Sequence, residues 1–183
     1  MTRPGDPNFN PFPGLRPFQV EEEYLFFGRD QQRQELISLL KTHRFVAVLG
    51  VSGGGKSSLV RAGLLPALYG GVMVNAGSHW NIAIMRPGGS PMRALAEALG
   101  AADLWAEGEP PSTLELETTL TRSGLGLVEA VRQARMPANQ NLLVVVDQFE
   151  ELFRFSQSQS ERSTRDEASA FVNLLLESTR QTS

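Results

Sequence analysis

The residues most able to do chemistry are those at positions 50 to 57, Gly-Val-Ser-Gly-Gly-Gly-Lys-Ser, between the apolar run Phe45-Val-Ala-Val-Leu49 and a helical stretch. A triphosphate is held by backbone N–H groups pointing inward around it. A chain wraps that tightly through glycines, because a Cβ clashes in the φ > 0 conformations required. Gly50, Gly53, Gly54 and Gly55 are expected to supply that freedom. Lys56 adds a point charge for the β- and γ-phosphates, Ser57 offers Mg²⁺ a hydroxyl, and the following helix brings the positive end of its dipole. An ordinary glycine-rich turn gives no reason for Lys-Ser at this register. The apolar run ahead of the loop is read as a strand.

A second group of residues complements the loop. Leu142-Leu-Val-Val-Val146 is apolar and largely β-branched, as a fully buried parallel strand would be, and Asp147 follows it at once. A carboxylate at a strand end can hold Mg²⁺ directly or through water while the metal bridges substrate phosphates. Glu150 and Glu151 come next, and either could orient or deprotonate an attacking water, the alternative for each being a solvated charge favoured by a helix start. Arg86 ends another apolar stretch and reads as a salt-bridged strand-end arginine that could also reach a phosphate. His43 and His79 have no spaced ligand partners and read as surface or loop residues, and Trp80 and Trp105 as core or loop anchors.

The elements that must position these groups follow from composition and periodicity. The 183 residues suffice for one domain of ordinary size with a sizeable core. Seventeen basic against 20 acidic residues give a net charge of -3, which offers no electrostatic footprint for nucleic acid. The absence of cysteine excludes disulfides and thiolate metal sites. No apolar run approaches the about 20 residues of a membrane span, and the N-terminus lacks the apolar core of a signal peptide, so a cytoplasmic location without membrane contact is expected.

Residues 1 to 18 carry five prolines and read as an extended arm, whose Phe9, Phe12 and Phe18 should lie on the domain surface. The remainder, 19 to 183, alternates helical and strand patterns. An amphipathic helix spans Asp30 to Lys41, and a helix apolar almost all round follows the loop. Trp80 to Met85 reads as a strand, then a helix runs to Gly100, and Ser112-Thr-Leu-Glu115 is a capping box. Gly124 and Gly126 interrupt the helix it opens. Ser156 to Ser163 reads as a polar loop, and Thr164-Arg-Asp-Glu167 as a second capping box. This order predicts an α/β fold with a mainly parallel sheet, its ligands at the carboxyl ends of the strands, where the loop and Asp147 would come close in space.

Several blocks together resemble one family: Pro13-Gly-Leu-Arg-Pro-Phe18, Phe26-Phe-Gly-Arg29, the loop with its flanks from Val48 to Pro66, Arg86-Pro-Gly88, and Asp147-Gln-Phe-Glu-Glu-Leu-Phe153. They are similar to the N-terminal part of the novel STAND NTPases, bacterial signal-transduction ATPases with numerous domains. The resemblance implies a P-loop NTPase three-layer fold, a Walker A loop and a Walker B aspartate, and ATP with Mg²⁺ as cofactors. It also implies nucleotide-dependent switching through self-association or contact with other domains of a larger switch protein. Gly28 and Arg29 would lie near adenine and ribose; Gly50, Ser52, Gly53, Gly54, Gly55, Lys56, Ser57 and Ser58 would bind nucleotide; Ser57 and Asp147 would hold the metal, with Glu150 or Glu151 at the water. Two departures stand out. Gln148 occupies the place where many related ATPases carry the catalytic glutamate. The family's further sensor strand and helical parts are expected beyond Ser183, making the fold C-terminally incomplete. The alternatives are a non-catalytic nucleotide-binding interaction module and, with only scattered arginines between 86 and 135, a small-molecule kinase. Neither the Leu-Ser-Gly-Gly-Gln segment of transporter ATPases nor the Asn-Lys-x-Asp segment of GTPases occurs.

Overall fold

A computed structural model describes residues 11–73, 79–105, 109–137, 139–158 and 162–181. They fall into two compact units, one ending at Ser78 and the other starting at His79.

In the first unit a 3-10 turn, Val20–Leu25, precedes helix α1, Asp30–Thr42. After the glycine loop the chain is helical from Lys56 to Tyr69, but not uniformly. Helix α2, Lys56–Ser58, widens into a π-helical stretch, Leu59–Leu64, and tightens again into α3, Leu65–Tyr69. The widening has a local cause. Pro66 has no N–H for the carbonyl four residues back and its ring crowds that turn, and the Leu65 N–H reaches five residues back, to Val60 O. The core of this unit is Leu36 and Ile37 of α1 with Ala62, Leu64, Leu65, Leu68 and Met73, as the all-round apolar pattern anticipates.

Phe45 to Leu49, expected as a strand, forms none: among the described residues it has no ladder partner, and Phe45 and Leu49 are exposed. Apolar, β-branched content makes a segment suitable for a sheet, but a strand exists only through a partner's hydrogen bonds. Of the three arm phenylalanines, Phe9 lies outside the described residues, Phe12 is exposed, and Phe18 packs edge-on against Phe26 with ring centroids 5.9 Å apart.

The second unit holds the sheet. Strand β1, His79–Met85, pairs in parallel with β2, Gln140–Val146, in a register running from His79 opposite Gln140 to Met85 opposite Val146. Parallel neighbours need a long crossover. It is made of α4, Pro91–Ala101, α5, Thr113–Thr121, and α6, Gly126–Ala134. Helices α7, Glu151–Ser158, and α8, Arg162–Arg180, follow β2. The core joins Ala83 and Met85 of β1 to Leu95 and Leu99 of α4, Leu116 and Leu120 of α5, and Phe171 and Leu174 of α8.

The Ser112–Glu115 capping box forms in full and closes α5 as expected, and the hydrogen bonds from the Ser112 hydroxyl and N–H hold the Glu115 carboxyl below the usual range. Three expectations fail. Strand β2 is half-buried along its whole length instead of fully buried, since β1 is its one ladder neighbour among the described residues. Helix α7 runs to Ser158, into the segment read as a polar loop. Helix α8 starts at Arg162, ahead of Thr164, and Glu167 accepts the Met92 N–H at 3.3 Å, capping α4 instead of its own helix. The architecture is therefore α/β, with a small parallel sheet and several helices. Among the described residues no helix is long and apolar enough to cross a membrane.

Candidate functional site

The loop of the first unit turns on two left-handed glycines, Gly53 at φ 75° and Gly55 at φ 80°. Gly50 and Gly54, also expected to need φ > 0, do not adopt it. Space is tight at Gly54, because a Cβ there would lie 3.0 Å from the Val51 carbonyl oxygen, to which the Gly54 N–H donates at 3.1 Å. The Gly55 carbonyl accepts the Leu59 N–H at 2.8 Å, which ties the end of the loop to the helix. The Lys56 ammonium folds back over this frame and donates to Gly50 O and Val51 O, 2.9 Å each. An anion in the loop would exchange those carbonyl oxygens for its own, a gain in charge complementarity.

Ser52 is exposed in the turn and Ser57 is half-buried. Ser58 is engaged elsewhere: its Oγ accepts the Phe18 N–H at 3.2 Å. Gly28 is also left-handed, at φ 77°, and it delivers Arg29 to the start of α1. From there the Arg29 guanidinium donates to Gly54 O at 3.4 Å. Arg29 and Lys56 line one open cavity of about 440 Å³, whose apolar wall includes Leu36, Leu39, Val48 and Leu59. A lining of two cations and several aliphatic side chains suits a ligand with an anionic group and an apolar body.

In the second unit the Asp147 N–H donates to Met85 O at 2.8 Å, extending the β1–β2 ladder by one bond. Its side chain is only 9% exposed, and Oδ2 lies 3.8 Å from Nε of the half-exposed Arg86, the strand-end ion pair that the sequence suggested. Gln148 is left-handed, at φ 57°, and turns the chain sharply into α7. That turn separates the two glutamates. Glu151 accepts the Gly88 N–H at 3.2 Å and so holds the Arg86-Pro-Gly88 turn, whereas Glu150 is exposed. Asp147 with Glu150 and Glu151 thus belongs to this unit, and Arg29 with Gly50 to Ser58 to the other.

No group of three or more His, Cys, Asp or Glu able to hold a metal alone occurs among the described residues. Mg²⁺ bound with a nucleotide does not need one, since it keeps several waters and takes one or two carboxylates besides phosphate oxygens. Asp147, a low-exposure carboxylate at a strand end, can supply one such ligand, with Arg86 as the charge that a metal there would have to displace. Both histidines are exposed, as expected.

Sequence reasoning missed Phe18 on Ser58, Arg29 on Gly54 and Glu151 on Gly88. Each joins residues 25 or more positions apart, and no local pattern encodes such a contact. A family model described as Novel STAND NTPase 1 matches residues 11–183. No curated protein and no solved structure is matched.

Proposed function

The chain belongs to the Novel STAND NTPase 1 family, and from that premise we propose that it binds ATP with Mg²⁺ and works as the nucleotide-controlled part of a signalling switch. The observation that carries this reading is the loop itself: left-handed Gly53 and Gly55, Lys56 seated on the loop carbonyls, and Arg29 beside them at one cavity. In the proposed complex the loop N–H groups and Lys56 bind the phosphates, and the aliphatic wall of the cavity takes the base. Ser57 in the first unit and Asp147 in the second are each proposed as metal-binding groups, and Mg²⁺ would supply charge neutralisation at the β- and γ-phosphates. Glu150 orients the attacking water, because Glu151 is already committed to Gly88.

A titration with fluorescent ATP and GTP analogues, with Mg²⁺ and with chelator, tests the binding. Tight ATP binding, with GTP weaker, is expected; no binding of either would reject the reading. One observation favours a second reading, a nucleotide-binding module without turnover: Gln148 follows Asp147, and one of the two nearby glutamates serves a structural turn. Phosphate release by the chain, compared with Glu150→Gln, separates the two. Turnover lost in the variant supports hydrolysis, and equal traces support the module.

A further inference from the structure

We propose that Arg16 to Gln19 form a clip that positions the phosphate-loop helix, with the Ser58 hydroxyl as its joint, and that clip docking and nucleotide binding strengthen each other. This rests on the reading of the loop as a nucleotide site. The clip touches the helix through two adjacent residues. Phe18 donates its N–H to Ser58 Oγ at 3.2 Å, and the Gln19 side-chain oxygen accepts from Arg61 at 3.3 Å. A third point lies beyond it, where the Phe18 ring meets Phe26 edge-on and the Phe26 ring lies over Gly63. A Cβ at Gly63 would meet that ring at 3.4 Å, an ordinary van der Waals contact, so the ring packs directly on the helix at this position.

These contacts span Ser58 to Gly63, across the π-helical stretch. Such widened turns are rare and poorly self-sustaining, so outside contacts bear on their geometry. The clip is also tied within itself. Both terminal nitrogens of Arg16 donate to the Glu22 carboxylate, at 2.7 and 2.6 Å, Glu22 also accepts the Gln19 N–H at 2.9 Å, and the Gln19 amide donates to Pro17 O at 3.1 Å. Pro17 fixes its own φ, which lowers the entropy lost on docking.

The consequence for the loop lies in where two polar groups are directed. A serine within a helix tends to return its hydroxyl to the carbonyl four residues back, which for Ser58 is Gly54. Here the Ser58 Oγ accepts the Phe18 N–H, which fixes the position of the oxygen without using its proton, and Arg29 donates to the Gly54 carbonyl at 3.4 Å. The segment ahead of α1 therefore orients polar groups on both sides of Lys56 and Ser57. A contact that favours the binding-competent loop must in turn be favoured by the bound nucleotide, by linkage.

The experiment measures Mg-ATP affinity with a fluorescent analogue, together with amide hydrogen exchange at residues 16 to 19, for the wild-type chain, Ser58→Ala, Ser58→Thr and Arg16→Ala. Arg16 is half-exposed, so its removal loosens the clip without touching the helix. Ser58→Ala and Arg16→Ala are expected to weaken affinity by about five- to tenfold, the lower part of the usual coupling range. Ser58→Thr, which keeps an acceptor oxygen, is expected to restore it. Saturating Mg-ATP should slow exchange of the Phe18 amide in the wild type and not in Ser58→Ala, a response that a purely structural contact would not give. Affinities within twofold of wild type, with Phe18 exchange indifferent to nucleotide, would overturn the clip and leave the ATP site standing. A wild-type chain that binds no ATP would overturn both.

Discussion

Lys56 donates to two carbonyl oxygens of its own loop, Gly50 O and Val51 O, and a phosphate entering the loop must take that charge over. Hydrogen bonds to charged groups contribute about 1.5–3 kcal/mol, so Lys56→Ala should weaken ATP binding by about 10- to 100-fold. Titration of both proteins with a fluorescent analogue checks this, and superimposable curves would remove Lys56 from the site. Asp147 is a different case, because its carboxylate is nearly buried and already faces Arg86. If it holds Mg²⁺, Asp147→Asn should weaken Mg-ATP binding while leaving ATP binding in chelator unchanged, since it removes a charge and little volume. Equal losses in both conditions would make Asp147 a structural partner of Arg86. At this scale the sequence was informative where chemistry is local. Left-handed Gly53 and Gly55 and the strand-end position of Asp147 follow from type and spacing, whereas Gly50 and Gly54 do not take the expected φ > 0. The distinction between Glu150 and Glu151 does not follow from them, because it depends on the Gly88 N–H, 63 positions away.

Among the elements, glycines that look alike in sequence have unlike reasons to be there. Gly124 and Gly126 both break the pattern between α5 and α6, and the break was legible as such. Only the backbone reveals that a Cβ at Gly126 would fall 2.5 Å from the carbonyl oxygens of Thr119 and Leu120, whereas one at Gly124 would meet the flexible Glu177 side chain at 3.3 Å. Gly126→Ala should therefore cost about 1–3 kcal/mol or more, the range for overpacking, and Gly124→Ala far less. Urea unfolding of the two variants decides it, and equal midpoints would count against the close approach. The turn at Val20–Leu25 allows a test by pH. The hydrogen bonds from Arg16, with that from the Gln19 N–H, lower the Glu22 carboxyl from 4.5 to about 2. A carboxyl lowered in the folded state adds stability above its unfolded value and loses it as pH falls through the folded one. The stability gap between wild type and Glu22→Gln should be constant above about pH 5 and close between pH 4.5 and 2; a gap independent of pH would exclude the ion pair as its source. Helices and strands with strong periodicity, such as α1, β1 and α4, were readable because burial of one face dictates the pattern. The run from Phe45 to Leu49 misled for the converse reason: its composition suits a sheet, but pairing is a property of two segments.

The whole chain distributes its candidate chemistry over two compact units, the phosphate loop in the one and the strand-end carboxylate in the other. A ligand that binds the folded form stabilises whatever it contacts, by about 2.7 kcal/mol at a hundredfold excess over Kd, and that protection can be mapped by amide hydrogen exchange. If the loop is the phosphate site, ATP in chelator should slow exchange around residues 50 to 60 and in the Phe18 segment and leave 85 to 89 and 147 to 152 unaffected. On the proposed reading, Asp147 takes part in holding Mg²⁺ once the metal is present. Protection should then extend to the turn that Glu151 holds at Gly88 and to the start of α7. The Asp147→Asn chain should lose that second zone and keep the first. Protection of both zones without metal would show that the second unit responds to nucleotide by another route. Protection confined to the loop under every condition would mean that Asp147 takes no part in Mg-ATP binding, and the switch reading would then have to rest on the first unit alone.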